Sequence, residues 1–482
     1  MRAQSVFAAI VVAGLVLGPL SAHASEPQPN TPGGVSAPEG VSFVSATGLS
    51  SAAAAFEAER DLIFQQANAL RAENGLAPLR RNAALDEIAM DWAVQQARVS
   101  TMSHRPNFTA MYPAGWTRAA ENVAFGYAPS AVHAAWANSP GHRTNLLSAN
   151  TDIGIGIAAN SNGRLYYTQN FGRYASAPPS PPGTILRIAG NDRYATSALI
   201  SASAFSAGAS TVYIASGADF PDALSAAALA GAANGPLLLV TRDSVPASIL
   251  TELRRLAPDR IVVAGGPGVV SEAVLATLRT VTPNVDRVFG TNRFDTARQL
   301  ALDAYGASGA PIAFLATGSG FADALAAGPA AASVDAPVLL INGSAAQIDA
   351  ATLTVLAQLG TTSVVIVGGT GVVSEGIRFS LESEGFAVER FAGTDRYSTA
   401  SQLATAFFST ATSAYLATGL GFADALSGGA AAGAVGAPLY TTQPSCVSPP
   451  PHTALRAQGP DQIFLLGGLG SLLPAVAGFY RC

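Results

Sequence analysis

Two histidines and a glutamate offer the most specific chemistry in this chain: His104, Glu121 and His142, separated by 17 and 21 residues. Two neutral imidazoles and one carboxylate are the minimum protein set for an open zinc site or a polarised water. Such a site weakens below about pH 6.5, where imidazoles protonate. The spacing puts the three on separate elements, which must converge for that chemistry to exist. The same residues also fit a structural reading, in which the imidazoles hydrogen-bond turns and Glu121 orders a loop. His133, inside the short helical stretch that ends at Trp136, fits only that reading. A second set is cationic: Arg193, Arg293 and Arg396 each open a helical run at matched places. A helix N-terminus is the wrong end for a cation, so each calls for a neighbouring carboxylate or an anionic ligand.

Other chemistries are excluded by what the chain lacks. All 26 basic residues are Arg, so P-loop and Schiff-base lysines do not exist here. There is no Gly-x-Ser-x-Gly elbow and no His-Glu-x-x-His helix. The 31 acids against 26 Arg leave a net charge of −5, which gives no basic field for nucleic acid. Cys446 and Cys482 are the only cysteines. An even pair in an exported chain predicts a disulfide that staples the C-terminal tail.

Export itself is read from the first residues. Arg2, an apolar run over 6–17, the Gly18-Pro19 break and Ala22-His23-Ala24 form a secretory signal over 1–24. No later stretch offers about 18 strongly apolar residues, so no membrane insertion is expected after cleavage. A Pro/Gly/Ser/Ala-rich leader covers 25–55. A second proline-rich spacer, 175–184, could hold its flanking domains about 30 Å apart in polyproline geometry. Domains are thereby placed at 56–174 and from 185 onward.

The second of these repeats three times, over 185–283, 284–385 and 386–482. Arg187-Ile188-Ala189-Gly190-Asn191-Asp192-Arg193-Tyr194 returns from Arg287 and again from Arg390. Phe220-Pro221-Asp222 returns at Phe321 and Phe422, and Gly265-Gly266 at Gly368-Gly369 and Gly467-Gly468. Asp192, Asn292 and Asp395 read as N-caps, Asp222, Asp323 and Asp424 as first-turn carboxylates, and the Gly-Gly pairs as tight strand-to-helix turns. Short apolar runs such as 211–215, 236–241 and 260–264 alternate with helical stretches, which predicts parallel sheets. The three copies resemble the cell wall binding repeat 2 of exported Gram-positive proteins. That resemblance implies three Rossmann-like α/β modules around a pseudo-threefold axis, holding the chain non-covalently on an anionic wall polymer. Arg193, Arg293 and Arg396 are then the candidate polymer ligands.

The first domain shows Ser103-His104, Glu121-Asn122, Ser139-Pro140-Gly141-His142-Arg143 and Tyr166-Tyr167-Thr168-Gln169-Asn170 in order. This set resembles the bacterial CAP (SCP-like, PR-1-like) superfamily, and implies an α-β-α sandwich with a cleft lined by His and acidic side chains. Tyr166 stands where the better-known eukaryotic pattern has His, and no Glu follows Trp136. The expectation is a secreted, wall-held surface protein whose CAP domain binds a ligand or partner and which requires no cofactor. The alternative is a wall-stationed hydrolase that holds a divalent metal, zinc, on His104, Glu121 and His142.

Overall fold

The computed structural model describes residues 56–482; the signal and leader expected over 1–55 lie outside them. The first domain runs α1 (Glu57–Glu73), β1 (Arg80–Arg81), α2 (Ala83–Val99), β2 (Trp116–Phe125), α3 (Pro129–Asn138), α4 (Pro140–Leu147), β3 (Asp152–Ala159) and β4 (Leu165–Tyr174). Its sheet has the order β1-β3-β4-β2, with β2 at an edge. Helix α2 begins where Asn82 accepts hydrogen bonds from Ala84 N and Leu85 N, satisfying donors that a helix end leaves orphaned. It lies on one face of the sheet so closely that a Cβ on Gly154 would sit 2.0 Å from the Leu85 carbonyl carbon. The opposite face buries Ile153, Ile155, Tyr167 and Phe171 against Ile63 of α1 and Trp136 of α3. The result is the expected α-β-α sandwich.

Next come β5 (Thr184–Ile188), α5 (Arg193–Ala204), β6 (Thr211–Ser216), α6 (Pro221–Ala232), β7 (Leu237–Val240), α7 (Ala247–Leu256), β8 (Arg260–Ala264) and α8 (Glu272–Leu278). The second repeat gives β9 (Val285–Val288), α9 (Arg293–Tyr305), β10 (Ile312–Thr317), α10 (Ala327–Ala332), β11 (Val338–Ile341), α11 (Ala350–Gln358), β12 (Ser363–Val367) and α12 (Glu375–Ser383). The third gives β13 (Ala387–Phe391), α13 (Arg396–Phe407), β14 (Ser413–Thr418), α14 (Ala423–Ala434), β15 (Leu439–Thr442), α15 (Pro449–Gln458), β16 (Gln462–Leu466) and α16 (Pro474–Ala477). Central strands such as Leu237–Val240 and Val338–Ile341 are buried at every residue, as parallel strands covered on both faces must be. The N-caps are formed as the sequence implies: Asp192 accepts from Ala195 N, Asn292 from Asp295 N and Asp395 from Ser398 N.

Sheet orders are β7-β6-β8-β9, β11-β10-β12-β13 and β15-β14-β16-β5, each wholly parallel. Each sheet therefore borrows the opening strand of the next repeat, and β5 of the first repeat closes the third sheet. Sequence repeat and folded module are out of phase by one strand, which ties the three modules into a closed ring. The helices α6, α10 and α14 are rich in Ala and Gly because they pack on one another at close range. A Cβ on Gly231 would lie 3.0 Å from Ala332 Cβ and 3.2 Å from Ala430 O. One apolar core runs through all three modules.

The spacer does not hold the two domains apart. Arg80 of the first domain donates to Ser176 O, Arg456 of the third module donates to Ser180 O, and Glu87 pairs with Arg187 across the boundary.

Candidate functional site

In the first domain, Glu121 and Asn122 are consecutive on edge strand β2, so their side chains leave opposite faces of the sheet. Glu121 pairs in register with Asn170, and Asn122 with Gln169. On the α2 side the Glu121 carboxylate is 1% exposed. Its Oε1 accepts from Arg105 N at 3.0 Å and lies 2.8 Å from His104 Nδ1, while the buried Oε2 has no protein partner. On the other side, Asn122 Nδ2 donates to Gln169 Oε1 and to the His142 carbonyl, and its Oδ1 accepts from Asn145 Nδ2 at 2.9 Å. The His142 ring turns its Nδ1 to Ser139 Oγ, 2.9 Å away. Burial pulls the His142 pKa below the ordinary value, and nearby His104 lowers it further.

The structure therefore brings His104 onto Glu121 and leaves His142 near them but bonded elsewhere. Among the described residues, no group of three or more His, Cys, Asp and Glu side chains is placed to hold a metal ion. Only the His142 backbone is tied to β2, through its carbonyl on Asn122, while its ring Nδ1 is held by Ser139. What this arrangement offers chemically is an acid–imidazole pair on one face of β2, with Glu121 buried and His104 exposed, and a network of side-chain amides on the other. Tyr166 is 1% exposed, stacks on Phe125 with centroids 5.9 Å apart, and packs with Ala93 and Ala97, so that position is core. His133 is buried in α3, and burial lowers its pKa too. Asn145 was missed by sequence reasoning; its only signal was a place one helical turn beyond His142 on α4.

In the ring, Phe220, Phe321 and Phe422 meet with centroids 5.6, 5.7 and 6.0 Å apart. Two of the three candidate arginines, Arg193 and Arg293, lie against these rings. Arg193, Arg293 and Arg396 each donate through Nη1 to the carbonyl of the glycine that follows a strand: Gly217 at 2.5 Å, Gly318 at 2.8 Å and Gly419 at 2.6 Å. The Arg193 guanidinium lies 5.7 Å from the Phe422 ring centroid and that of Arg293 lies 5.7 Å from Phe220. Arg293 also approaches Asp219 at 3.8 Å. For Arg193 and Arg293 another repeat thus supplies a π-face, and for Arg293 a carboxylate as well, that offset a cation at a helix N-terminus. Arg193 remains exposed and the other two half-buried. Burial raises the carboxyl pKa of Asp222 and Asp424, partly opposed by Arg293 and Arg193 respectively.

A second arginine set went unassigned in the sequence. Arg287 Nη1 donates to Gly265 O and Val270 O, Arg390 Nη1 to Gly368 O and Val373 O, and Arg187 Nη1 to Gly467 O. Each bolts the borrowed strand to the Gly-Gly turn, whose first glycine has φ of 117°, 113° and 96° in the three modules. The turn is occupied by this internal contact, which fits the tight-turn reading.

Comparison with known proteins agrees with both architectures. Residues 64–171 match the cysteine-rich secretory protein (CAP) family. The N-acetylmuramoyl-L-alanine amidase LytC of Bacillus subtilis is 29% identical over 294 residues, covering 61% of this chain and 57% of the amidase. This chain thus spans little more than half of that relative. Among solved structures, Cwp8 from Clostridium difficile superposes with a TM-score of 0.55 at 27% identity, covering 61% of this chain and 51% of Cwp8. Cwp6 from the same organism gives 0.58 at 23%, covering 68% and 52%, a likeness of fold. Among the described residues no helix is long and apolar enough to cross a membrane. Residues 187–275, 287–378 and 390–477 each match Cell wall binding domain 2 (CWB2), and the chain belongs to that family as a secreted, cell-wall-associated protein with an N-terminal CAP domain.

Proposed function

We propose that the ring holds this protein on an anionic polymer of the cell wall, with Arg193, Arg293 and Arg396 as the groups that meet the polymer, and that the CAP domain is displayed there as a binding module. The observation that carries this reading is the recurrence, at the same place in all three repeats, of a guanidinium that is exposed or half-buried and bonded to a post-strand glycine carbonyl, with those of Arg193 and Arg293 also seated on the Phe422 and Phe220 rings. From residue 185 onward the chain has 15 Arg and 20 acids, a difference of −5. Attraction to a polyanion must therefore be local, through clustered guanidinium groups rather than net charge. The CAP cleft, with its acid–imidazole pair of His104 and Glu121, suits an uncharged or cationic ligand recognised by hydrogen bonds.

The test is sedimentation of the full protein with purified walls, before and after chemical removal of their anionic polymers. Binding should need the polymer and fall at least tenfold in the Arg193→Gln/Arg293→Gln/Arg396→Gln variant while its circular dichroism stays unchanged. Equal binding to stripped walls would overturn the reading. For the cleft, calorimetric titration with zinc should show no saturable heat that depends on His104; such a signal would move the CAP domain into metal chemistry.

A further inference from the structure

In two of the three modules the strand-bolting arginine also pairs with an acid of its own module. Arg287 Nη2 lies 3.1 Å from Glu272 Oε1 and Arg390 Nη2 lies 3.5 Å from Glu375 Oε1. These glutamates occupy the seventh residue after the first glycine of the turn. In the third module that residue is Pro474, so Arg187, which bolts β5 to the turn at Gly467, has no acid from the ring. The carboxylate comes from the CAP domain instead. Glu87 of α2 grips Arg187 with both oxygens: Nε to Oε1 at 3.0 Å and to Oε2 at 3.2 Å, Nη2 to Oε2 at 2.6 Å. This bidentate geometry is the stronger form of the ion pair, and both side chains are largely withdrawn from water, at 13% and 20% exposure.

A second contact lies beside it. Asn82, fully buried and already the N-cap of α2, donates through Nδ2 to the Tyr480 hydroxyl at 3.0 Å. A Cβ on Gly478 would reach Ala84 Cβ at 3.0 Å, so the first turn of α2 rests on a glycine. The tail that carries Gly478 and Tyr480 is itself fixed. Cys446 and Cys482 are bonded, Val447 N donates to Tyr480 O at 2.7 Å, and the Phe479 ring stacks on His452.

We infer that the third module carries a docking seat, Arg187 with Gly478 and Tyr480, whose partner is the start of helix α2, and that Glu87 stands in for the acid which Glu272 and Glu375 supply elsewhere. The CAP domain and the ring then move as one body. Helix α2 also holds the loop that bears His104: Trp92 Nε1 donates to Ser103 O at 2.7 Å, and Arg105 pairs with Asp91 at 2.8 Å. Docking at Glu87 therefore fixes the bearing of the cleft on the anchored ring.

Amide hydrogen exchange on the full protein tests this at segments 83–88 and 474–481. Both should be protected in the wild type. Glu87→Arg should raise exchange at least tenfold in both while β3 and β4 keep their protection, and Glu87→Gln should give a smaller rise. The charge swap Glu87→Arg/Arg187→Glu should restore protection. Wild-type segments that exchange at unprotected rates would overturn the inference. So would a folded Glu87→Arg protein with unchanged exchange, or a charge swap that restores nothing while β16 stays protected.

Discussion

The Arg193 guanidinium rests 5.7 Å from the Phe422 ring centroid, so a cation from the first repeat is seated on a π-face supplied by the last. Since β5 also pairs with β16, the two ends of the repeat region are joined twice, once by a strand ladder and once beside the central phenylalanines. Ring closure is thus built into the sequence at residues that a purely linear array of modules would leave unpartnered.

Replacing that cation should weaken the ring even in the absence of any wall ligand. Arg193→Gln loses the cation–π contact and a charged hydrogen bond to Gly217 O, together about 1–2 kcal/mol at a site open to solvent. Phe422→Leu removes the π-face alone and should cost less than Arg193→Gln while leaving wall binding intact if Arg193 is the polymer ligand. Urea denaturation of both variants beside wall sedimentation separates the structural from the ligand contribution. Equal loss of wall binding in both would assign the arginine to ring closure only.

The Gly-Gly turns give a sharper contrast within one loop. Gly265 has φ of 117° and faces the Asp222 carboxylate, whereas a Cβ on Gly268 would meet nothing within 4 Å, and Gly268 has no left-handed φ. Gly265→Ala should destabilise the first module by more than about 1 kcal/mol, and Gly268→Ala should be near neutral or slightly stabilising. Thermal denaturation of the two single variants checks the order; equal melting temperatures would refute it.

Much of this was legible in the sequence, because repetition exposes function-bearing positions without any partner being known. The caps, the glycine turns, the buried strands and the three arginines all follow from local patterns at about 100-residue offsets. Ring closure was not legible, since the partner of β5 is set by pairing with a strand at the far end of the chain. In the CAP domain, His104, Glu121 and His142 are recognisable by type and order, but what each imidazole bonds, Glu121 for His104 and Ser139 for His142, depends on tertiary packing. Alternation along β2 sends Glu121, which meets the His104 ring, and Asn122, which meets the His142 carbonyl, to opposite faces. The replacement of Glu272 and Glu375 by Pro474 was visible in the aligned repeats. Its meaning required Glu87, which lies in another domain.

The Cys446–Cys482 bond closes a sequence separation of 36 residues, with Cα atoms 5.1 Å apart. Chain entropy for such a loop gives roughly 4 kcal/mol at most. The Cys446→Ser/Cys482→Ser variant should lose a large part of that, with the loss confined to the third module and the tail at Val447 to Tyr480. Denaturation with and without a reducing agent should show the wild type falling to the variant's midpoint and the variant unmoved by reductant. A reductant effect of equal size on the variant would disprove the staple.

Acid should loosen the CAP domain. His133 and His142 both have pKa values pulled below the ordinary imidazole range, first by burial in each case and, for His142, also by the charge of His104. In the unfolded chain these groups take up protons near pH 6.5, while the folded domain resists doing so. The unfolded state therefore binds more protons as pH falls, and stability present above about pH 6.5 is lost progressively below it. Carboxyls raised by burial, Asp86 in the CAP domain and Asp222 and Asp424 in the ring, run the other way: their folded forms hold protons more readily, so their effect on stability improves as pH falls toward the carboxylate range, well below the imidazole window. All three tryptophans, Trp92, Trp116 and Trp136, lie in the CAP domain, so indole fluorescence follows that domain alone. Thermal melts followed by fluorescence should shift downward between pH 7 and pH 5. In His133→Phe, whose ring fills a similar volume without a titrating group, the shift should shrink. A wild-type melt that does not move across that interval, or a His133→Phe shift as large as wild type, would show that buried imidazoles do not set the acid sensitivity of this domain.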